Sequence, residues 1–341
     1  MLKESTLLTS RRTVPVELVR RLLRTAERRG ADVDEILREA GIWSELVSND
    51  LSRITADQVA RITRALWRFT GDELFGAGPR PVPRGTFRLL SMALIHSPDL
   101  MAVLERFCQY RSALPGLPEV HASIGKERTR LELDSSALDD PEHVVTELGL
   151  AIAHRFGGWL IGRRIALRSV ELPYPRPADA EDYQLIFGCS PTFSGADAAL
   201  TFDTSLLSAP VLRSEVELIG YIDHAPADVL ARRDYGSSVG DQVRRLLEHG
   251  LSGEWPSSEQ VAARLHYSLQ HLRRKLREEG TSMGEIREGI IRDVAIASLV
   301  RGEESVNELS KRLGFSEPSA FRRAFRRWTG SSPGSYQPPF A

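Results

Sequence analysis

Apolar side chains recur at every third or fourth position through the first hundred residues, the spacing of amphipathic helices. Val14, Leu18, Leu22 and Leu23 share one face of a predicted helix that Thr13 can cap, with Pro15 near its first turn. Thr55 can cap a second helix over residues 56–70, which Gly71 ends, and Leu100, Val103, Leu104 and Phe107 mark a third over residues 99–112. From Glu119 the period becomes two. Val120, Ala122 and Ile124 alternate with polar residues, Gly125 permits a turn, and Leu131 and Leu133 alternate again, which predicts a hairpin. A long helix over about residues 141–162 follows, then strands near residues 165–172 and 198–202. This mixture predicts an α+β domain over residues 14–210. The apolar residues from Val144 to Leu160 exceed what one buried face needs, which points to self-association through this region.

After Asp203 the pattern is helical again. Gly236, Ser237, Ser238 and Gly240 are poor element interiors, so residues 211–240 read as a linker and residues 241–341 as an all-α domain. One short pattern occurs twice in that last segment. In the first copy Ser258 caps a short helix with Val261 and Leu265 inside. A tight turn, His266-Tyr267-Ser268, leads to a second helix with Leu269, Leu272 and Leu276 inside and Gly280 at its end. The second copy runs from Ser305 to Leu313, turns through Gly314-Phe315-Ser316 and continues from Glu317 to Thr329. There Phe321, Phe325 and Trp328 face inward and Gly330 closes the helix. Two short helices burying each other's faces across a tight turn form a helix-turn-helix unit.

Charge sharpens this reading. The chain of 341 residues carries a formal net charge of only -1, but Asp241 to Ala341 holds 16 Lys+Arg against 13 Asp+Glu, leaving the front part acidic. The basic residues cluster on the outer faces of the two second helices: Arg273, Arg274 and Arg277 beside Gln270, and Arg322, Arg323, Arg326 and Arg327. A solvated face on a structural bundle is the plain reading of one such helix; two capped copies in tandem favour duplex DNA. Arginine can fork onto a guanine edge, glutamine can read adenine, and serine hydroxyls at helix N-termini can hold phosphates.

The other chemistry is sparse. Hydrophobic residues at 41% and charged residues at 27% are ordinary for a soluble globular chain. Cys108 and Cys189 stand far apart without a CxxC or a nearby His, so neither a disulfide framework nor a metal site is expected. Neither a secretion signal nor a membrane span is evident, and a cytoplasmic location with no membrane partner is expected. No GxSxG, P-loop or HExxH motif occurs, so an enzyme fused to a DNA-binding tail is the weaker reading, and no cofactor is expected.

The run Leu313-Gly314-Phe315-Ser316-Glu317-Pro318-Ser319-Ala320-Phe321, continuing through Arg323, Phe325, Arg327-Trp328-Thr329-Gly330 and Ser332-Pro333 to Tyr336, closely resembles the second helix-turn-helix signature of AraC/XylS-type regulators. The resemblance reaches back to about Ser258. It implies a central helix, here about residues 284–300 and roughly 25 Å long, joining two recognition helices set near one DNA turn, about 34 Å, apart. It also places base reading on Gln270, Arg273 and Arg274 in the first unit and on Ser319, Arg322 and Arg323 in the second. Phosphate contacts fall on Ser268, Arg277, Ser316 and Arg326. Three residues depart from the family pattern: His266 stands where a small turn residue is usual, Ser310 where Ala is usual and Gln337 where a basic residue is common. The Ser310 hydroxyl can bond back to its own helix.

The stretch from Val14 to Pro210 is similar to the α+β N-terminal domain of one AraC-type subgroup, often described as arabinose-binding-like. The likeness rests on Leu100 to Ser112 with Phe107 and Tyr110, on Ala178 to Ser190 with Tyr183 and Phe187-Gly188-Cys189, and on Pro191-Thr192-Phe193. It implies a small-molecule effector and a homodimer, with RNA polymerase as a further partner if the protein is an activator. A protein-interaction module without ligand is the alternative. Trp67, Trp159, Tyr110 and Phe156 read as core side chains, His154 as an interior or interface group and Cys189 as structural; no ligand-binding residue is assigned.

Overall fold

The computed structural model describes residues 12–177, 180, 183–224, 238–248 and 255–338. The chain begins with β1 (Thr13–Pro15), α1 (Val16–Arg28), α2 (Val33–Ala40), α3 (Ser44–Ser48), β2 (Arg53–Thr55) and α4 (Ala56–Thr70). Next come α5 (Thr86–Leu94), α6 (Leu100–Arg111), β3 (Glu119–Ile124), β4 (Arg128–Asp134), α7 (Val144–Leu160) and β5 (Leu167–Leu172). Then follow α8 (Tyr183–Phe187), β6 (Thr192–Phe193), β7 (Ala198–Asp203), a 3-10 turn (Thr204–Ser208) and α9 (Glu215–His224). The last part holds α10 (Val239–Glu248), α11 (Ser258–Arg264), α12 (Leu269–Glu278), α13 (Met283–Arg301), α14 (Val306–Arg312), α15 (Pro318–Thr329) and a second 3-10 turn (Pro333–Tyr336).

These elements form two compact units, both discontinuous in sequence. One takes the described residues of Glu17–Ala40 and Asp57–Tyr235; the other takes those of Met1–Val16, Gly41–Ala56 and Gly236–Ala341.

The first unit is α+β. Its sheet has the order β3-β4-β7-β5-β6, antiparallel throughout except for the parallel β5–β6 pair. The hairpin turns at Gly125, whose N–H bonds the Arg128 carbonyl at 2.9 Å. Asp99 caps α6, accepting from the Ala102 N–H at 2.9 Å. Helix α7 is interior. Val144, Val145, Leu150, Ala151, Phe156, Trp159 and Leu160 are all buried; Leu150 and Ala151 join an apolar cluster with β4, β5 and β7, and Phe156, Trp159 and Leu160 one with α5, α6 and α9. Its surplus of apolar residues is therefore satisfied within the unit and calls for no second subunit. Tyr110 stands at the surface, 39% exposed, rather than in the core. Of the stretch expected as a linker, residues 215–224 form α9, which buries Leu218 and Tyr221, whereas residues 225–237 lie outside the described residues, as do residues 178, 179, 181 and 182 of the Ala178 to Ser190 stretch.

The second unit is helical apart from the antiparallel β1–β2 pair, in the register Thr13↔Thr55, Val14↔Ile54 and Pro15↔Arg53. Thr13 lies in this strand instead of capping a helix. Its hydroxyl donates to the buried Asp293 Oδ1 of α13 at 2.6 Å and accepts from Arg53 Nε at 2.9 Å. The tertiary demand of a buried carboxylate outweighs the local capping preference. Asn49 Nδ2 donates to the Thr329 carbonyl at 3.1 Å, and the Arg53 N–H to the Tyr336 hydroxyl at 3.2 Å. N-terminal residues are thus built into the helical unit.

Candidate DNA interface and effector cavity

In the first helix-turn-helix unit the cap of α11 is Ser257, one residue before the expected Ser258. Ser257 Oγ accepts from the Gln260 N–H, and Gln260 Oε1 accepts from the Ser257 N–H at 2.8 Å, a reciprocal capping box. Val261 and Ala262 are buried. His266 holds the turn at φ 58, a left-handed backbone unusual for a non-glycine residue, while the Tyr267 N–H bonds the Ala262 carbonyl at 2.9 Å. Ser268 then caps α12, accepting from the His271 N–H at 3.2 Å, and Leu272 and Leu276 form its buried stripe.

The second unit repeats this plan. Ser305 and Glu308 form the capping box of α14, Leu309 and Ser310 are buried, and Gly314 makes the left-handed turn at φ 84. The Phe315 N–H bonds the Ser310 carbonyl at 3.0 Å, matching the bond at Tyr267. Helix α15 opens on Pro318 at its N-terminus and buries Phe321 and Phe325, with Trp328 half-buried. The Ser310 hydroxyl is buried without a hydrogen-bond partner among the described residues, so it does not bond back to its helix. At Gly330 the backbone is left-handed, φ 69, and an added Cβ would lie 2.6 Å from Asn49 Nδ2, so this position excludes larger residues on both counts.

The second unit rests on α13, whose 19 residues span roughly 28 Å, and the first packs on α10, which in turn packs on α13. Ile286, Ile290, Val294, Ala295, Ile296 and Leu299 are buried along it. Asp293, buried on the same helix, faces Arg244 Nη1 of α10 at 3.9 Å and Arg292 Nε at 3.7 Å as well as Thr13. Glu288 accepts from both Arg327 Nη2 and Trp328 Nε1, which ties α15 to the central helix and holds the Glu288 carboxyl below the usual carboxylate range. Arg327 therefore braces the unit.

All ten residues singled out for DNA are exposed: Gln270, Arg273, Arg274 and Arg277 on α12, Ser319, Arg322, Arg323 and Arg326 on α15, and the two turn serines Ser268 and Ser316. The two helical quartets have the same spacing, i, i+3, i+4 and i+7, so each lies along one helix face. Among the described residues Arg277, Arg323 and Arg326 enter no ion pair. Arg274 Nε lies 3.8 Å from Glu278, Arg322 Nη2 bonds Asn307 Oδ1 at 3.4 Å, and Ser319 Oγ donates to Glu317 at 3.0 Å. The sequence reading missed Ser257, the Asp293 cluster and the Glu288 brace. Only the first left a local signal, the Ser257-x-x-Gln260 box; the others join residues far apart in the chain.

The α+β unit contains a cavity of about 270 Å³ between α4, α5, α6, α7 and the sheet. Its wall is almost wholly apolar, with Phe87, Leu94, Val103, Phe107, Leu131, Ile152 and Phe202 among the lining residues. Trp67, half-buried, and Phe156, buried, belong to this wall and not only to the core, whereas Trp159 is core alone. His154 lines it too, 8% exposed, and burial pushes its imidazole down to about 4. Cys108 is exposed and Cys189 half-buried, and desolvation raises both thiols above their ordinary value.

Two capped helix-turn-helix units joined by a central helix, each with an exposed basic recognition face, together with an α+β unit that holds a cavity, define a DNA-binding transcription regulator. The family described as "Arabinose-binding domain of AraC transcription regulator, N-term" matches residues 30–211, and a helix-turn-helix domain matches residues 261–338. The chain belongs to the AraC-type transcription regulators. It is 25% identical over 327 residues to the ornithine utilization regulator of Pseudomonas aeruginosa, covering 95% of this chain and 96% of that one. With the regulator VqsM of the same organism it shares 36% identity over 188 residues, 53% of this chain and 56% of the relative. Among solved structures it is similar to the transcriptional regulator CdpR of P. aeruginosa, at 24% identity, covering 74% of this chain and 82% of that one with a TM-score of 0.30. Among the described residues no helix is long and apolar enough to cross a membrane.

Proposed function

We propose that this regulator reads two adjacent major-groove segments with Gln270, Arg273 and Arg274 on α12 and with Ser319, Arg322 and Arg323 on α15. Ser268, Arg277, Ser316 and Arg326 hold the flanking phosphates, and a small molecule in the α+β unit controls the binding. The observation that carries this reading is the matched pair of exposed quartets on the second helices of two units joined by one buried central helix. Arginine forks match guanine edges, and the turn serines sit at helix N-termini, where phosphate is favoured. The protein works in the cytoplasm, where promoter DNA is accessible, with RNA polymerase as a partner if it activates.

Self-association adds a second pair of recognition helices. It is supported by α9, which keeps Leu218 and Tyr221 inside while Val216, 81% exposed, and Ile219 face outward after the 63% exposed Leu212. Sedimentation of the full chain at micromolar concentration should show a dimer that Val216→Glu weakens; a monomer with and without DNA would overturn that part.

Footprinting and mobility shift of the full chain on genomic fragments test the main reading. A protected stretch covering two major-groove segments about one turn apart is expected, with affinity falling steeply as salt rises. Binding to the best fragment no tighter than to scrambled DNA at moderate salt would refute it.

A further inference from the structure

We infer that the cavity of the α+β unit takes a neutral, largely aliphatic molecule of about ten heavy atoms with a single small hydrogen-bonding head group such as a hydroxyl, and not a sugar, an amino acid or a carboxylate. This rests on the effector reading above and specifies its ligand.

Gly149, Ala153 and Gly157 stand one turn apart on α7 and line the cavity between larger lining residues of the same helix, Leu148, Ile152 and Phe156. At Gly149 a Cβ would come within 2.7 Å of Leu133 Cδ1, so a larger residue there would push the Leu133 side chain aside. Interiors close-pack by default, and a void of 270 Å³ goes well beyond ordinary packing defects. A cavity of roughly 150 Å³ accommodates benzene. Scaling from that, this one holds about ten or eleven heavy atoms.

The polar atoms of the wall decide the rest. Glu73 is already engaged, accepting from the Gly85 N–H at 2.6 Å and the Phe87 N–H at 2.8 Å at the start of α5, and Glu132 accepts from Arg130. Two polar atoms remain. Ser91 Oγ on α5 and His154 Nδ1 on α7 are both buried, both belong to residues lining the cavity, and neither has a hydrogen-bond partner among the described residues. His154 Nε2 lies 2.7 Å from the Ile165 carbonyl, which can only accept, so Nε2 carries the ring proton and Nδ1 is a bare acceptor. Burial keeps this imidazole neutral at physiological pH. A hydroxyl, which both donates and accepts, matches the chemistry left over: Nδ1 can only accept, and Ser91 Oγ can do either. A carboxylate could not donate, and among the lining residues no Lys or Arg stands ready to neutralise it. A sugar or an amino acid would leave several polar groups unbonded against the apolar wall.

The test titrates the full-length protein with 1-decanol, decanoate, L-arabinose and L-ornithine at pH 7 by calorimetry, with DNA affinity measured in parallel. One 1-decanol per chain is expected, at least tenfold tighter than decanoate and without detectable heat from the two polar compounds. Ala153→Leu, which fills the cavity, should weaken 1-decanol at least tenfold, and Ser91→Ala, a change too small to threaten folding, several-fold. The inference is overturned if decanoate or either polar compound binds as tightly as 1-decanol, or if 1-decanol binds both variants as it binds the parent. If 1-decanol binds as expected but leaves DNA affinity unchanged, the site stands and the effector reading falls. If a polar compound shifts DNA affinity while 1-decanol does not bind, the effector reading stands and the assignment of this cavity falls.

Discussion

The two helix-turn-helix units solve one geometric problem with different side chains. Ser257 and Ser305 cap their first helices with the same reciprocal bonds, and both turns take a left-handed residue, His266 at φ 58 and Gly314 at φ 84. Each unit then departs once from the small-residue pattern. The first has Ala262 at the tight helix contact and a histidine in the turn; the second has glycine in the turn and Ser310 at the contact, its hydroxyl buried without a partner among the described residues. Their cores also differ, with aliphatic Leu272 and Leu276 against aromatic Phe321, Phe325 and Trp328, where Phe315 and Phe321 meet edge to face at 5.4 Å. Turn geometry is thus imposed by helix packing and survives an unfavourable residue, and the strain is located differently in the two copies.

Phe321→Ala should destabilise the second unit by about 3 to 5 kcal/mol and abolish DNA binding through unfolding, as seen in urea denaturation of the full chain followed by Trp fluorescence. Leu272→Ala, in the smaller aliphatic core, should cost less. At the helix contact, Ser310→Ala removes a buried unsatisfied hydroxyl and should stabilise by about 1 to 2 kcal/mol, while Ala262→Ser should do the reverse; equal melting temperatures for all three proteins would contradict the buried, unpaired state of Ser310. In the turns, Gly314→Ala should cost about 1 to 2 kcal/mol through backbone strain, although its Cβ would meet nothing within 4 Å. His266→Gly should gain up to about 1 kcal/mol, and a loss there would mean that the imidazole makes a contact worth more than the strain. The smallest effect concerns phosphate. Arg277→Ala and Arg326→Ala should weaken all DNA sequences alike and each flatten the slope of log affinity against log salt by about one unit.

Much of the helical unit was legible because its signals are local. Caps, turn residues and the apolar stripes of α12 and α15 lie within a few positions of one another, and the recognition faces follow from the helical period. The hairpin of β3 and β4 was legible for the same reason. The β1–β2 pair was not, since three-residue strands carry no periodicity, and Thr13 and Pro15 imitate a helix start while the deciding partner, Asp293, lies far along the chain. The cap of the first unit was misplaced by one residue because Ser257 and Ser258 are adjacent, although only Ser257 has Gln260 at the capping-box spacing. The cavity was invisible for a different reason. Phe87, Phe107 and Phe156 read as core in any periodicity argument, and only the assembly of α5, α6 and α7 with the sheet shows that they face space.

Whether α12 and α15 each read their own bases can be measured. The direct measurement selects preferred sites from a random DNA library with the full chain, with Arg273→Ala and with Arg323→Ala, after confirming that both variants melt like the parent. Each substitution should lower affinity by about 1 to 3 kcal/mol and erase preference at a few base positions in one segment, the two segments lying about one helical turn apart and the untouched segment keeping its preference. If both variants retain the parent's preference at every position and lose affinity uniformly, these arginines hold backbone and the assignment of the two reading faces is wrong.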